Sequence, residues 1–285
     1  MINVNGCVTK DHEAKISVLD RGFLYGDSVY DVIKGYKNEL IMYNEHYKRL
    51  VRSATFLGIE MPLNKETLAK EIHKTIETAN SELKYIRIII TRGIENEINL
   101  YFKKDLKSNF IIIGREFLPF NESLYSEGIG LKTVSVKRTP ISSLNPMIKS
   151  GNYLNNIMAL KEAKEGQAFD SLILNHEGYV TELSSSNIFF VNNSKVCTPS
   201  VESGILDGIT RGFVIKLCKE LDIEIIEAKY KLEEIINSSE VFITSTLKDI
   251  LPVTSLDDKQ INHGKIGPLT KSLINSFNER IYANA

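Results

Sequence analysis

The sequence has no tryptophan, only three cysteines and seven prolines in 285 residues, and no surplus of charge of either sign. Thirty-five Lys and Arg against 36 Asp and Glu leave a formal net charge of −1, so the electrostatic footprint needed for nucleic acid or an anionic membrane surface is missing. Cys7, Cys197 and Cys218 are odd in number, lack CxxC spacing, and each sits in or beside an apolar run. That pattern excludes a disulfide frame and a zinc site; no metal is expected, and the thiols read as reduced and structural in a cytoplasmic protein. No apolar run approaches the roughly 18 residues of a membrane span, and MINVNGCVTKDHEAK carries neither a basic nor an apolar export segment, so neither membrane insertion nor export is expected. Internal repeats and low-complexity tracts are absent as well.

What is present is a chain 42% hydrophobic, long enough to bury sizeable cores. Residues 2–43 read as short strands with turns: INVNG, KISVLD, SVYDVIKGY and ELIMY. Asn44 is placed to cap a helix whose apolar stripe is Tyr47, Leu50, Val51, Ala54 and Leu57, and Asn64 to cap a second with Leu68, Ala69, Ile72 and Ile76 inward. KYIRIIIT and NFIIIG, rich in β-branched residues, read as central strands. These elements predict an α+β N-terminal domain over 1–117. REFLPFNESLYSEG supplies a linker over 118–129, and 130–285 forms a second, α/β domain of strands GLKTVSV, SLILN, YVTEL, NIFFV and EVFIT with helices YLNNIMALKEAKEG, ITRGFVIKLCKELD and GPLTKSLINSFNER.

One stretch stands apart. In SLNPMIKSGNYLNN, Lys149 has no charged neighbour between Arg138 and Lys161. A lysine kept from carboxylates and partly buried deprotonates more readily, and a free amine forms a Schiff base with a carbonyl substrate or with pyridoxal phosphate. That chemistry also needs a phosphate cradle, a partner for the pyridine nitrogen and groups that orient the imine. GILDGITRGF offers Ile209 and Thr210 at a helix start, ITSTLKD offers Ser245 and Thr246 at a strand end, Arg49 offers a planar fork of donors, and Glu182 offers a carboxylate after a strand-like run. Taken singly each has an ordinary role: a solvated loop lysine, a helix cap, a helix-face arginine, a strand-end glutamate.

Together, DRGFLYGDSVYDVIKGY, EHYKRLVRSA, IKSGNYLNN, EGYVTELSSSNIFFV, GILDGITR and TSTLKDILPV occur in an order that resembles the class IV aminotransferases, the pyridoxal-phosphate enzymes of fold type IV, over almost the whole chain. That resemblance implies two α/β domains with pyridoxal 5′-phosphate between them, and a homodimer whose partner chain contributes to each substrate pocket. It implies that Lys149 carries the cofactor and shuttles the substrate proton, that Arg49, Ile209, Thr210, Ser245 and Thr246 hold the phosphate, and that Glu182 meets the pyridine nitrogen. Leu206 packs on the ring, Tyr153 lies near the cofactor hydroxyl or the substrate, Tyr30 lines the substrate pocket with Thr246 and Leu247, and Asn187 supports Glu182.

Within the family the substrate positions point several ways. After TRG the chain lacks the Arg-x-His pair of the best-known D-amino-acid aminotransferases, Lys34 stands where branched-chain aminotransferases typically carry arginine, and SGNY puts Tyr153 four residues after Lys149, closer to the D-amino-acid and lyase branches. Leu247 and Lys248 replace residues that are usually small. The favoured expectation is transfer between a small apolar amino acid, branched-chain and L, and a 2-oxo acid such as 2-oxoglutarate. The alternatives are a D-amino-acid aminotransferase, an aminodeoxychorismate lyase, and an inactive binding protein on the same fold.

Overall fold

Alternation in KYIRIIIT sends Ile86, Ile88 and Ile90 to one side of a sheet and Tyr85, Arg87 and Ile89 to the other. The computed structural model describes residues 1–102 and 105–282, in two units. The first contains β1 (Ile2–Val4), β2 (Cys7–Thr9), α1 (Arg21–Tyr25), β3 (Ser28–Tyr36), β4 (Glu39–Leu40), α2 (Tyr43–Phe56), α3 (Lys65–Ile76), β5 (Leu83–Thr91) and β6 (Asn109–Glu116). Its strands form an antiparallel sheet in the order β2-β1-β6-β5-β3-β4. The inward isoleucines of β5 join Val29, Ile33, Phe110 and Ile112 in a core closed by Leu50 and Ala54 of α2 and Leu68, Ile72 and Ile76 of α3. Truncating a fully buried member such as Ile88 to alanine costs about 2–5 kcal/mol.

Asn64 caps α3 as expected, accepting from the Thr67 N–H at 2.9 Å. Two expectations differ from the structure. The cap of α2 is Met42 with a left-handed backbone, and Asn44 lies inside the first turn, where its side chain accepts from Lys65 Nζ. KISVLD is not a strand: Ile16 and Val18 are exposed, and Asp20 instead caps α1 through Gly22 N–H while also accepting from Thr91 and Asn109.

Residues 148–152 belong to this first unit although they lie within the expected second domain. Tyr30 N–H donates to Lys149 O (2.9 Å), Gly151 N–H donates to Ser28 O (2.8 Å), and Val29 bridges Ser150, so the segment runs beside the start of β3. Glycine is required at 151 because a Cβ there would collide with Ser28 Oγ.

The second unit contains α4 (Glu122–Glu127), β7 (Ile129–Lys137), α5 (Leu154–Glu165), β8 (Asp170–Leu174), β9 (Val180–Leu183), β10 (Asn187–Asn192), β11 (Lys195–Pro199), α6 (Ile209–Glu220), β12 (Ile225–Ala228), α7 (Leu232–Ile236), β13 (Glu240–Ser245), β14 (Asp249–Leu256), β15 (Lys259–Gln260) and α8 (Pro268–Tyr282). Its mixed sheet runs β12-β11-β10-β13-β14-β7-β8-β9, with β15 on β14. The segment expected as a linker contains α4, whose Leu124 and Tyr125 pack against the core of this sheet. Strand β14 has no counterpart among the expected strands, since Pro252 argues against an interior strand; it pairs with both β13 and β7 nonetheless. Among the described residues, no helix is long and apolar enough to cross a membrane.

Candidate active site

In the first unit the Lys149 backbone is pinned on both sides. Its N–H donates to Ser53 Oγ of α2 at 3.2 Å and its carbonyl accepts from Tyr30. Its Nζ lies 4.6 Å from the centroid of the Tyr30 ring, and the Arg87 guanidinium lies 4.0 Å from the same centroid. Tyr30 and Arg87 also line a cavity of about 380 Å³, walled mainly by apolar side chains including Ile2, Phe23, Ile89 and Ile111. That volume suits a small ligand. Arg87 is absent from the residues singled out in the sequence, although the alternation of β5 places it on the face opposite the core.

On the core side of β3, Asp31 is fully buried and accepts from His46 Nδ1, Arg49 Nε and Arg49 Nη2, each at 2.8 Å. Burial alone would push the Asp31 carboxyl up, but Arg49 and His46 outweigh it and hold the group well below the usual carboxylate range. Burial holds the His46 imidazole below its ordinary pKa against the pull of Asp31, with Arg49 and Lys149 adding to the depression. Arg49 thus has its fork oriented by a carboxylate that no motif links to it, because one lies on a strand and the other on the next helix.

The second unit gathers the remaining residues. Glu182, at the end of β9, is buried; its Oε2 accepts from Leu206 N–H (3.0 Å) and Asn187 Nδ2 (3.3 Å), and its Oε1 pairs with Arg138 Nη2 at 2.6 Å. Arg138 is held in turn by Asn156 Oδ1 and Gly204 O. In the sequence Arg138 figures only as the nearest charge before Lys149, and its pairing with Glu182 is a tertiary contact with no local signature. Leu206 meets Glu182 through its backbone rather than its side chain. Tyr153 donates its hydroxyl to Ser184 O in the turn that follows Glu182.

Beside this carboxylate, Ile209 and Thr210 open α6. Its cap, Gly208, supplies no side-chain hydrogen bond, and a Cβ there would collide with Asn187 Oδ1. The first N–H groups of a helix have no intrahelical acceptor and favour an anion. Ser245 ends β13, and Thr246, Leu247 and Lys248 form the half-buried turn into β14. Thr244 Oγ1 is buried with no protein partner, on the side of β13 that carries Phe242 and Glu240 and packs against α6 and α8. An uncapped helix start, an orphaned buried hydroxyl and a fixed carboxylate are the donor and acceptor set that a phosphorylated pyridine ring calls for, so the residues fit pyridoxal phosphate.

Comparison with known proteins points the same way. Residues 28–256 match the family described as amino-transferase class IV. A putative branched-chain-amino-acid aminotransferase of Methanocaldococcus jannaschii is 38% identical over 98% of this chain and 95% of its own length. A D-alanine aminotransferase of Listeria innocua is 34% identical, also over 98% and 95%. The branched-chain aminotransferase of the thermophilic archaeon Thermoproteus uzoniensis, solved with norvaline, superposes with a TM-score of 0.89 at 30% identity, covering 98% of this chain and 94% of that one. A further branched-chain amino acid aminotransferase, from T.th., solved with pyridoxamine 5′-phosphate, superposes with a TM-score of 0.93 at 29% identity, covering 100% of this chain and 94% of that one. The fold, the full-length match and the chemistry of the assembled residues agree: the chain belongs to the class IV aminotransferases, and it is an aminotransferase.

Proposed function

We propose that this aminotransferase uses pyridoxal 5′-phosphate to exchange an amino group between branched-chain L-amino acids and 2-oxoglutarate. The observation that carries the substrate assignment is the cavity lined by Tyr30 and Arg87: its apolar walls suit a branched aliphatic side chain, and its guanidinium suits the second carboxylate of the acceptor. Bound by this chain, pyridoxal phosphate supplies an aldehyde that condenses with amines and a ring that takes up the electron pair released at the substrate Cα. Lys149 would hold the aldehyde and serve as the base for the substrate Cα proton. Tyr30, packed against Lys149 Nζ, fixes where that amine points. Glu182 would hold a proton at the pyridine nitrogen. Arg49, the N–H groups of Ile209 and Thr210, and Ser245 and Thr246 would bind the phosphate; Leu206 would pack on the ring, Tyr153 would orient the ring hydroxyl or substrate, and Thr246 and Leu247 would border the substrate.

The exposed apolar side chains Ile98, Leu100 and Tyr101 support a homodimer in which this loop is buried against a second copy. Its base is fastened by Arg21, which donates to the carbonyls of Asn99 and Leu100. Three free cysteines, two of them buried, support a cytoplasmic setting.

The test is a donor panel of L- and D-leucine, valine, alanine and glutamate against 2-oxoglutarate and pyruvate. Fastest turnover of L-leucine or L-valine with 2-oxoglutarate is expected. The four-residue step from Lys149 to Tyr153 favours a second reading, a D-amino-acid aminotransferase, and faster turnover of D-alanine than of any L-donor establishes that reading instead. Pyruvate release from aminodeoxychorismate without amino transfer assigns the lyase.

A further inference from the structure

The turn that would present Ser245 and Thr246 to a phosphate is held by two tyrosines from distant parts of the chain. It joins β13 to β14 through Thr246, Leu247 and Lys248, and it closes on a register in which Ser245 pairs with Asp249. Asp249 has a left-handed backbone (φ 54°), a conformation that costs a non-glycine residue unless its surroundings fix it. Here they do: the Tyr282 hydroxyl donates to Asp249 Oδ2 at 2.8 Å, and the Tyr125 hydroxyl donates to the neighbouring Lys248 O at 3.2 Å. Inside the turn, Lys248 N–H donates to Ser245 Oγ (3.2 Å), so a shift of the Lys248 backbone disturbs the Ser245 hydroxyl as well.

Each tyrosine is delivered by a helix. Tyr125 belongs to α4 and packs with Leu124 against the core of the sheet; its hydroxyl is pushed up to about 12, by burial first and by the Asp249 carboxylate second. Tyr282 is the last residue of α8. The first turn of α8 is held by Glu240, which opens β13 and accepts from Leu269 N–H (3.1 Å), Thr270 N–H (2.7 Å) and the Thr270 hydroxyl (2.7 Å). From there the 15 residues of α8 rise about 22 Å, and the six residues of β13 span about 20 Å. A helix fastened at the start of the strand therefore ends beside the turn at the strand's other end. Phe277, buried edge-on against Phe213 of α6, seats the helix between these two points. All of these residues lie in the second unit.

We infer that Tyr282 and Tyr125 are positioning residues for the cofactor phosphate: by bonding Asp249 Oδ2 and Lys248 O they hold the turn between β13 and β14 in the shape that Ser245 and Thr246 need to meet it. The inference rests on the pyridoxal-phosphate reading above. It extends the phosphate site to side chains of α4 and α8 that act through the turn.

The test is absorbance titration of the full-length apoprotein with pyridoxal phosphate and, separately, with pyridoxal, which has the same aldehyde and ring without the phosphate. Tyr282→Phe removes one hydroxyl and keeps the ring. Loss of its hydrogen bond to a carboxylate raises the dissociation constant for pyridoxal phosphate about tenfold and leaves that for pyridoxal within about twofold of wild type. Tyr125→Phe, whose bond is longer and goes to a neutral carbonyl, gives a smaller rise of the same kind. Asp249→Asn keeps an acceptor for Tyr282 and tolerates the left-handed backbone, so it stays within about threefold of wild type, whereas Asp249→Ala matches Tyr282→Phe. An unchanged constant for pyridoxal phosphate in Tyr282→Phe overturns the inference, as does an equal loss for pyridoxal, which makes the tyrosine a support of the fold alone. If wild-type protein takes up neither compound, the cofactor reading has failed and the inference with it, a result distinct from a defect that appears only in the variants.

Discussion

Replacing Asp31 by asparagine tests the buried cluster that orients Arg49. Asp31 has no solvent exposure and receives four hydrogen bonds of 2.8 Å, two from Arg49, one from His46 and one from the Val32 N–H. An asparagine keeps the shape but removes the charge, leaving the Arg49 guanidinium buried without its counter-ion. Breaking a buried pair in this way costs about 3–5 kcal/mol. With a urea dependence of roughly 2–3 kcal/mol per molar, the unfolding midpoint falls by about 1–2.5 M. Because the chain has no tryptophan, far-UV circular dichroism is the natural signal. Apoprotein affinity for pyridoxal phosphate falls with it, since the Arg49 fork loses its support. The double variant Asp31→Asn/Arg49→Met removes both charges and loses less stability than the two single changes summed. A midpoint within about 0.3 M of wild type for Asp31→Asn refutes the reasoning.

The same cluster fixes a pH dependence. The folded Asp31 carboxyl is held below its unfolded value, so its contribution is complete above about pH 5 and is lost progressively as the pH falls below that. The stability gap between wild type and Asp31→Asn therefore narrows from about pH 5 to pH 3; a constant gap over that range contradicts the assignment. Two further predictions concern other buried groups. Arg138→Met strips Glu182 of its ion-pair partner and costs about 3–5 kcal/mol of stability, read by thermal unfolding; a change under about 1 kcal/mol shows the pair to be dispensable. Of the three thiols, burial pushes Cys218 up to about 11 and also raises Cys197, while Cys7 is exposed. A thiol reagent at pH 8 therefore modifies Cys7 alone in native protein and all three after denaturation, and rapid reaction of a second thiol in native protein contradicts the burial of the other two.

The elements most legible in the sequence are those whose period and caps agree: the inward isoleucines of β5, the α3 helix behind Asn64, and the NIFFV and EVFIT strands. KISVLD misleads because its apolar alternation is genuine but exposed, and the decisive residue is Asp20, whose carboxylate closes a helix cap and two side-chain bonds from distant strands. Strand β14 is hidden by Pro252. At the site, Lys149, Glu182 and Arg49 stand out by type and order, whereas Asp31, His46, Arg138 and Arg87 act through contacts between residues on different elements, which no local pattern carries. A division of the chain near residue 130 separates Lys149 from its backbone partners at Tyr30 and Ser53, which lie about a hundred residues earlier in the sequence; only the folded chain brings them together.

The most direct measurement of the central claim is reduction of the protein with borohydride after incubation with pyridoxal phosphate, followed by peptide mapping. The account predicts a yellow protein whose phosphopyridoxyl label falls on the peptide containing Lys149, with Lys149→Ala unlabelled at that peptide and inactive. A colourless wild type, a label on another lysine, or a Lys149→Ala protein that transaminates at the wild-type rate contradicts it.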